Sequence, residues 1–293
     1  MSTPRARDRG PTITPDEFLA LRELINRHCG LSFGDDVDYL FQARLAPRVR
    51  HHGLGGFAAY RRLLLEDPRR TEELEAAVAA LTTHETYLHR QPGQLRAFAE
   101  RLLPALAERN RRQRRLRVWS AGCATGEEAY TVAILVARSG LFEGWDVQVL
   151  GTDLVRGVLE VARAGAYGEQ AFRTPEAQSL RPWFRRDGAR WLVRDEVRRM
   201  VRFARLNLLD RRGAAVLGVV DVIFCRNVLI YLDRAARRRV LGTLAGRLRR
   251  GGFLLLGHSE SLRAPGDEFE RFPLGDDLAY RKAGDRRKLA PRP

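Results

Sequence analysis

The apolar residues of this chain change period once, near residue 115, and the change divides it into a helical part and an alternating part. From Thr14 to about Ala80 they recur at helical spacing. Phe18, Leu21, Leu24 and Ile25 form one stripe, and Tyr39, Leu40, Leu45, Phe57, Tyr60, Leu63 and Leu64 continue it between breaks at Gly30, Gly34, Gly53, Gly55 and Gly56. Thr14 ahead of Pro15, with Glu17 three residues on, is a capping-box start. The pattern predicts a small all-helical domain over 14–92 and a linking helix over 93–115 that ends in the basic run 109–115.

Beyond it the spacing predicts strands at 116–121, 147–152, 201–208, 219–224 and 253–257, with helices at 127–138, 155–164 and 234–248 between them. Alternating strand and helix is the mark of an α/β fold built on a parallel sheet with right-handed crossovers. This second domain is expected over 116–283. It includes a small antiparallel β subdomain near 183–200, turning at Asp187-Gly188, and a terminal hairpin from 269–274 and 278–281. The polar ends, 1–13 and 284–293, are expected to be disordered tails.

A length of 293 residues, 44% apolar and 30% charged, accommodates two such domains. No run approaches the roughly 18 apolar residues of a membrane span, and the N-terminus lacks a signal-peptide core, so a cytoplasmic protein without membrane insertion is expected. Cys29, Cys123 and Cys225 are far apart, without CxxC spacing or a His pair nearby, and predict buried reduced thiols with no metal site. The net charge is +16 and the pI about 10.9. Such a balance attracts polyanions, including nucleic acid. However, Lys282 and Lys288 are the two lysines, so nearly all the basic residues are arginines spread along the chain, which suits an acidic protein partner equally well.

Candidate chemistry gathers where strands end. Gly122-Cys123-Ala124-Thr125-Gly126-Glu127-Glu128 is a glycine turn opening a helix, where backbone can approach a ligand and free N–H groups are exposed. Its G-x-x-x-G spacing is not the dinucleotide fingerprint, and Glu127 and Glu128 would repel a pyrophosphate. The turn therefore suits a ligand with a cationic amino group, such as S-adenosylmethionine (SAM), unless the two carboxylates merely complement the helix dipole. Asp153 ends the next strand, where an acid can accept both ribose hydroxyls or simply cap a helix. Asn207-Leu208 and Arg226-Asn227 follow two further strands at the same edge; Asn207 suits an adenine edge or a turn.

The runs VWSAGCATGEEAYTVA, LGTD, RFARLNLLD, DVIFCRNVLIYLD and GGFLLLGHSESL, preceded by LTTHETYLHR, resemble in order and spacing the motifs of the chemotaxis-receptor glutamate methyltransferases, over roughly residues 15–282. The resemblance implies an N-terminal helical domain, then a class I SAM-methyltransferase domain with a Rossmann-like sheet, forming glutamyl methyl esters on the cytoplasmic helical region of a chemoreceptor. It assigns His84, Thr86, Arg90, Gly122, Glu127, Glu128, Asp153, Asn207, Leu208, Arg226 and Asn227 to the SAM pocket. If 81–90 is helical, Thr86 and Arg90 share a face. The family usually has Asn at His84 and aromatic residues at Leu88 and His89; outside a role in the site, both histidines are expected to be ordinary and partly exposed.

The acceptor glutamate, with a reference pKa near 4.3, is already ionised and needs no general base. Orientation is what helps, and Arg90, forking onto a carboxylate, and Tyr231, donating one hydrogen bond, are the expected catalytic residues. Arg44 and Arg48, four apart with Arg50 nearby, are expected to present a basic face to an acidic receptor helix. Peptide-capturing relatives carry a longer loop in the β subdomain, so the tight Asp187-Gly188 turn implies independence from a C-terminal receptor tether. An RNA or DNA methyltransferase is disfavoured, since Arg226-Asn227-Val228-Leu229 replaces the N/D-P-P-Y/F stretch of exocyclic-amine enzymes and no Pro-Cys nucleophile is present, and nucleic acid is not expected as a partner. The remaining alternative is a SAM-binding regulatory module without turnover.

Overall fold

A computed structural model describes residues 11–83, 85–262 and 268–284. His84 and most of the expected tails lie outside them. The chain packs as two units, 1–83 together with 231–236, and 84–230 together with 237–293.

The first unit is helical: α1 (Pro15–Cys29), α2 (Asp38–His51), α3 (Phe57–Glu66) and α4 (Arg70–Leu81). The Thr14 hydroxyl accepts from the Glu17 amide while the Glu17 carboxylate accepts from the Thr14 amide, so the capping box forms. Gly30 ends α1 with φ 80°, a left-handed cap that favours glycine. Phe18, Leu21, Ile25, Phe41, Leu45, Val49, Phe57 and Tyr60 form the core, with Phe18 and Phe41 edge to face at 5.0 Å.

Inside this unit sits a carboxylate that periodicity did not single out. Glu73 of α4 is 5% exposed. It accepts hydrogen bonds from the Arg48 guanidinium (Nε at 2.9 Å), His52 Nε2 (2.7 Å) and the Tyr60 hydroxyl (2.6 Å), tying α2, α3 and α4 together. Burial pushes the Glu73 carboxyl up, but the bonds from Arg48, Tyr60 and His52 together outweigh it and hold it below its ordinary value. The expected basic face is corrected accordingly: Arg44 and Arg50 are exposed, whereas Arg48 is turned inward to a buried partner.

In the second unit the expected linking helix runs without a break through α5 (Pro92–Ala97), a π-helical turn at Phe98–Leu102 and α6 (Leu103–Asn110). Pro104 has no N–H for the preceding turn, which is why the spacing widens there. The basic run ends in a turn, and strand β1 starts at Arg115.

The sheet has seven strands: β1 (Arg115–Ala121), β2 (Asp146–Asp153), β6 (Val201–Arg205), β7 (Val220–Cys225), β8 (Leu248–Leu256), β9 (Phe269–Leu274) and β10 (Asp277–Lys282). Their order is β6-β2-β1-β7-β8-β10-β9; the first five are mutually parallel, and β10 and β9 add the antiparallel hairpin. Crossovers run through α7 (Glu127–Arg138), α8 (Arg156–Ala164) and α11 (Arg234–Arg247). The chain leaves β1 on one side for β2 and returns on the other at β7, so the order reverses at β1, where open α/β sheets bind ligands.

The subdomain has a third strand that the sequence reading omitted. In it β3 (Ala166–Tyr167), β5 (Arg190–Val193) and β4 (Phe184–Asp187) form an antiparallel sheet, with the single turns α9 (Pro175–Gln178) and α10 (Asp195–Arg198) alongside. Asp187 pairs with Arg190 across Gly188-Ala189, a two-residue connection. All three cysteines are buried free thiols. Among the described residues no helix is long and apolar enough to cross a membrane.

Candidate functional site

The loops after β1, β2 and β7 meet at the carboxyl edge of the sheet, and their backbone geometry is unusual in the same place. Gly122, Ala124 and Gly126 have φ of 79°, 45° and 93°, and Asn227 has φ 58°. The amides of Gly122 and Cys123 both donate to the Thr152 carbonyl, at 2.8 and 2.9 Å, which folds the glycine turn back over β2. A Cβ on Gly122 would stand 2.5 Å from Cγ2 of Val228, so the two loops on either side of the reversal are in direct contact.

Asp153 ends β2 and is bonded to backbone on both sides of it. One carboxylate oxygen accepts from the Ala124 amide at 2.9 Å and the other from the Val155 amide at 3.0 Å, so it braces the glycine turn and fixes the turn that leads into α8. Its carbonyl accepts from the Leu206 amide at 2.9 Å, bringing Asn207 and Leu208 to the same edge. Asn207 accepts from the Leu209 amide at 3.0 Å, a turn of the kind short polar side chains make. Leu208 is half-buried.

The two glutamates separate in role. Glu127 is buried and accepts from the Thr125 hydroxyl at 2.7 Å; burial pushes its carboxyl up against the pull of Thr125. Glu128 accepts from the Ser120 hydroxyl at 2.6 Å and faces the Arg226 guanidinium at 3.5 Å. Burial opposes both charges of that pair, pushing Glu128 up and Arg226 down, and their mutual attraction offsets part of it. Arg226 also donates to the Gln91 side chain at 2.9 Å and to the Arg90 carbonyl, so the segment before α5 is bound to the β1 and β7 loops by one guanidinium.

That segment is not helical, which corrects the expected Thr86–Arg90 face. The Leu88 amide donates to the Ala171 carbonyl at 3.1 Å with its side chain fully buried, and His89 and Gln91 take φ of 59° and 61° ahead of Pro92, whose ring disfavours a helical predecessor. Thr86 is half-buried on this irregular stretch. Arg90 is also half-buried; it donates to the Glu85 carbonyl at 2.9 Å and lies 6.0 Å from the Tyr87 ring centre. His89 is 6% exposed, not partly exposed as expected; its amide donates to the Thr131 hydroxyl at 3.1 Å while its Nδ1 is buried without a partner among the described residues. Burial holds this imidazole neutral, its pKa below the ordinary value. Tyr231 belongs to the helical unit, 45% exposed, its carbonyl accepting from the Ser32 amide at 2.8 Å.

Three residues with a part in this geometry went unassigned in the sequence: Ser120, Gln91 and Glu260. Ser120 alternates inward on β1 beside the turn, a signal periodicity carries, while Gln91 and Glu260 find their partners only in the folded chain.

The donor set fits SAM. Carboxylates dominate the edge, which suits a cationic sulfonium and ammonium, and Asp153 ends β2 at the carboxyl edge of the sheet. Among the described residues no group of three His, Cys, Asp or Glu is placed to hold a metal ion.

Comparison with known proteins agrees with the geometry. Residues 84–275 match the CheR methyltransferase SAM binding domain, and residues 16–82 match the CheR methyltransferase all-alpha domain. A chemotaxis protein methyltransferase of Vibrio parahaemolyticus is 34% identical over 277 residues, covering 92% of this chain and 98% of that protein. Chemotaxis protein methyltransferase 1 of Pseudomonas aeruginosa is 33% identical over 274 residues, 90% and 97% of the two chains. An O-methyltransferase family protein of Burkholderia thailandensis shares 16% identity over 91% of this chain and 84% of that one, with a TM-score of 0.39. With an all-α domain followed by a SAM-binding sheet, both matched in order, the chain belongs to the CheR methyltransferase family.

Proposed function

We propose that the protein transfers the methyl group of SAM to glutamate side chains in the cytoplasmic helical region of a chemoreceptor, forming methyl esters, and that it works in the cytoplasm. The observation that supports this reading most is the Arg226 clamp. It ties Arg90, a guanidinium able to fork onto a carboxylate, to Glu128 beside the glycine turn. The names of the similar chemotaxis methyltransferases favour the same acceptor.

When bound, SAM supplies an electrophilic methyl on a sulfonium. This chain's residues have the simpler tasks of holding and aiming. Asp153, Asn207 and Leu208 would take the nucleoside, Gly122 lets backbone approach it, and Glu127, Glu128, Arg226 and Asn227 would line the cationic end, with Thr86 and His84 as further cofactor contacts. Arg90 and Tyr231 would orient the acceptor carboxylate. No residue need take a proton, because the acceptor is ionised at neutral pH.

The test offers radiolabelled SAM with receptor membranes or with bulk RNA. Label on the receptor that alkali releases as methanol supports the ester; label on RNA, or none, overturns it. Arg90→Ala should lower turnover at least about a hundredfold while SAM affinity stays within about threefold, and Tyr231→Phe should lower turnover more modestly. Unchanged turnover in Arg90→Ala removes Arg90 from the acceptor site.

We further propose that methylation is independent of a C-terminal receptor tether. This rests on the two-residue Gly188-Ala189 connection. A receptor lacking its last several residues should be methylated at the full rate; a large loss of rate overturns the proposal.

A further inference from the structure

Glu260 follows β8 and is 8% exposed. Its carboxylate accepts four backbone hydrogen bonds. One oxygen takes the amides of Gly257 (2.7 Å) and Asn227 (2.8 Å), the other those of Val228 (2.8 Å) and Ile230 (3.2 Å). One side chain thus binds the ends of two adjacent parallel strands, β7 and β8, whose last residues Cys225 and Leu256 are paired. The fit leaves no slack, since a Cβ on Gly257 would meet the Glu260 carboxylate at 2.8 Å and the Asn227 amide nitrogen at 2.9 Å.

Two consequences follow from that bonding. Asn227 lies in the left-handed region, which asparagine enters more readily than most residues, and the Glu260 bonds to its amide and the next one fix it there. Val228, held by the same carboxylate, is the residue that abuts Gly122, so the position of the glycine turn also depends on Glu260. The second consequence is electrostatic. Among the described residues the donors to Glu260 are neutral amides and no cation is paired with it, so its formal charge is dispersed but not cancelled, unlike that of Glu128 opposite Arg226. Its field reaches the Glu128 carboxylate and the Cys225 thiol.

We infer that Glu260 is a positioning residue of the cofactor site with a selectivity role: it holds the Arg226-Asn227-Val228 turn in place, and its uncancelled charge favours the cationic sulfonium cofactor over the neutral thioether product. The inference rests on the placement of SAM proposed above.

The experiment measures SAM and S-adenosylhomocysteine affinities by calorimetry on the full chain, wild type against Glu260→Gln and Glu260→Asp. Glu260→Gln removes the charge but sets an NH2 group, which cannot accept, against two of the four amides, so the ratio of the two affinities and not the loss for either one reads the charge. The variant should weaken SAM by about threefold or more beyond any loss for S-adenosylhomocysteine, and should raise KM for SAM more than it lowers kcat. Glu260→Asp keeps the charge but withdraws the carboxylate; it should weaken both ligands by similar factors and leave their ratio near the wild-type value. Equal losses for both ligands in Glu260→Gln would reduce Glu260 to a structural brace and overturn the selectivity role, and unchanged affinities in both variants would overturn the positioning role too. If Glu260→Gln does not fold, Glu260→Ala takes its place for the ratio of the two affinities, an unchanged ratio overturning the selectivity role, and Glu260→Asp decides the positioning role, with wild-type affinity for both ligands overturning it. Failure of the wild type to bind SAM at all would instead overturn the placement of the cofactor, and is read in the first titration.

Discussion

Two buried glutamates, one in each unit, are satisfied in opposite ways. Glu73 takes its hydrogen bonds from side chains, the Arg48 guanidinium, the His52 ring and the Tyr60 hydroxyl. Glu260 takes all four of its bonds from backbone amides. Side-chain donors bring their helices with them, so Glu73 fastens α2, α3 and α4 and its value is to the packing of the unit. Backbone donors fix φ and ψ, so Glu260 dictates the shape of a turn. The contrast separates a carboxylate that holds a fold from one that holds a site.

The largest effect that would test this contrast is on stability at Glu73. Glu73→Ala leaves Arg48, a buried tyrosine hydroxyl and an imidazole without their shared acceptor, and should cost about 3 kcal/mol in urea unfolding, the low end for a broken buried pair because Arg48 reaches solvent. SAM affinity of the folded protein should stay within about twofold. A loss of SAM binding as large as that seen in the Glu260 variants would erase the distinction between the two carboxylates.

Acid should sharpen the same comparison. The folded-state pKa of Glu73 is depressed, so its contribution is complete above the unfolded-state value, about 4.3, and is lost as pH falls from there through the folded value. The stability gap between wild type and Glu73→Gln, measured by urea unfolding at successive pH values, should therefore be constant from about pH 5 to 7 and shrink below about pH 4.3. A gap that widens on acidification would mean that burial, not the three donors, dominates at this carboxylate.

The smallest expected effect concerns a buried group satisfied by neither route. His89 keeps Nδ1 inside the protein with no partner among the described residues, which penalises the folded state. His89→Phe removes that atom at similar volume and should raise stability by up to about 1 kcal/mol, read as a shift in thermal midpoint. A destabilised variant would show that Nδ1 has an acceptor or a water that matters.

Local signals carried most of the architecture. The Thr14 capping box, the glycine turn at Gly122 and the hairpin around Gly275-Asp276 were readable because each is decided by residues a few positions apart, and the strand ends that carry Asp153, Asn207 and Arg226 followed from periodicity. What stayed hidden depends on distance along the chain. Arg48 reads as a surface charge until Glu73, 25 residues away, is placed beside it, and Arg226 reaches Gln91 across 135 residues. Glu260 lay within a quoted motif, yet nothing in its neighbours reveals that its partners are amides of another strand's loop. The Thr86–Arg90 stretch misled because a helical spacing was assumed for a segment whose Leu88 is drawn inward and whose end is set by Pro92.

The order of the strands has a consequence for how the molecule behaves among its own copies. A sheet that is not closed ends in two rows of backbone donors and acceptors that a strand from another chain could join. Here one edge is β9, Phe-Glu-Arg-Phe-Pro-Leu, where Pro273 removes a donor and Glu270 and Arg271 place charge along the strand. The other edge is β6, only five residues long, with Arg202 and Arg205 on it. Both ends are thereby unattractive templates, so the protein can be kept at high concentration without its sheet growing from one molecule into the next.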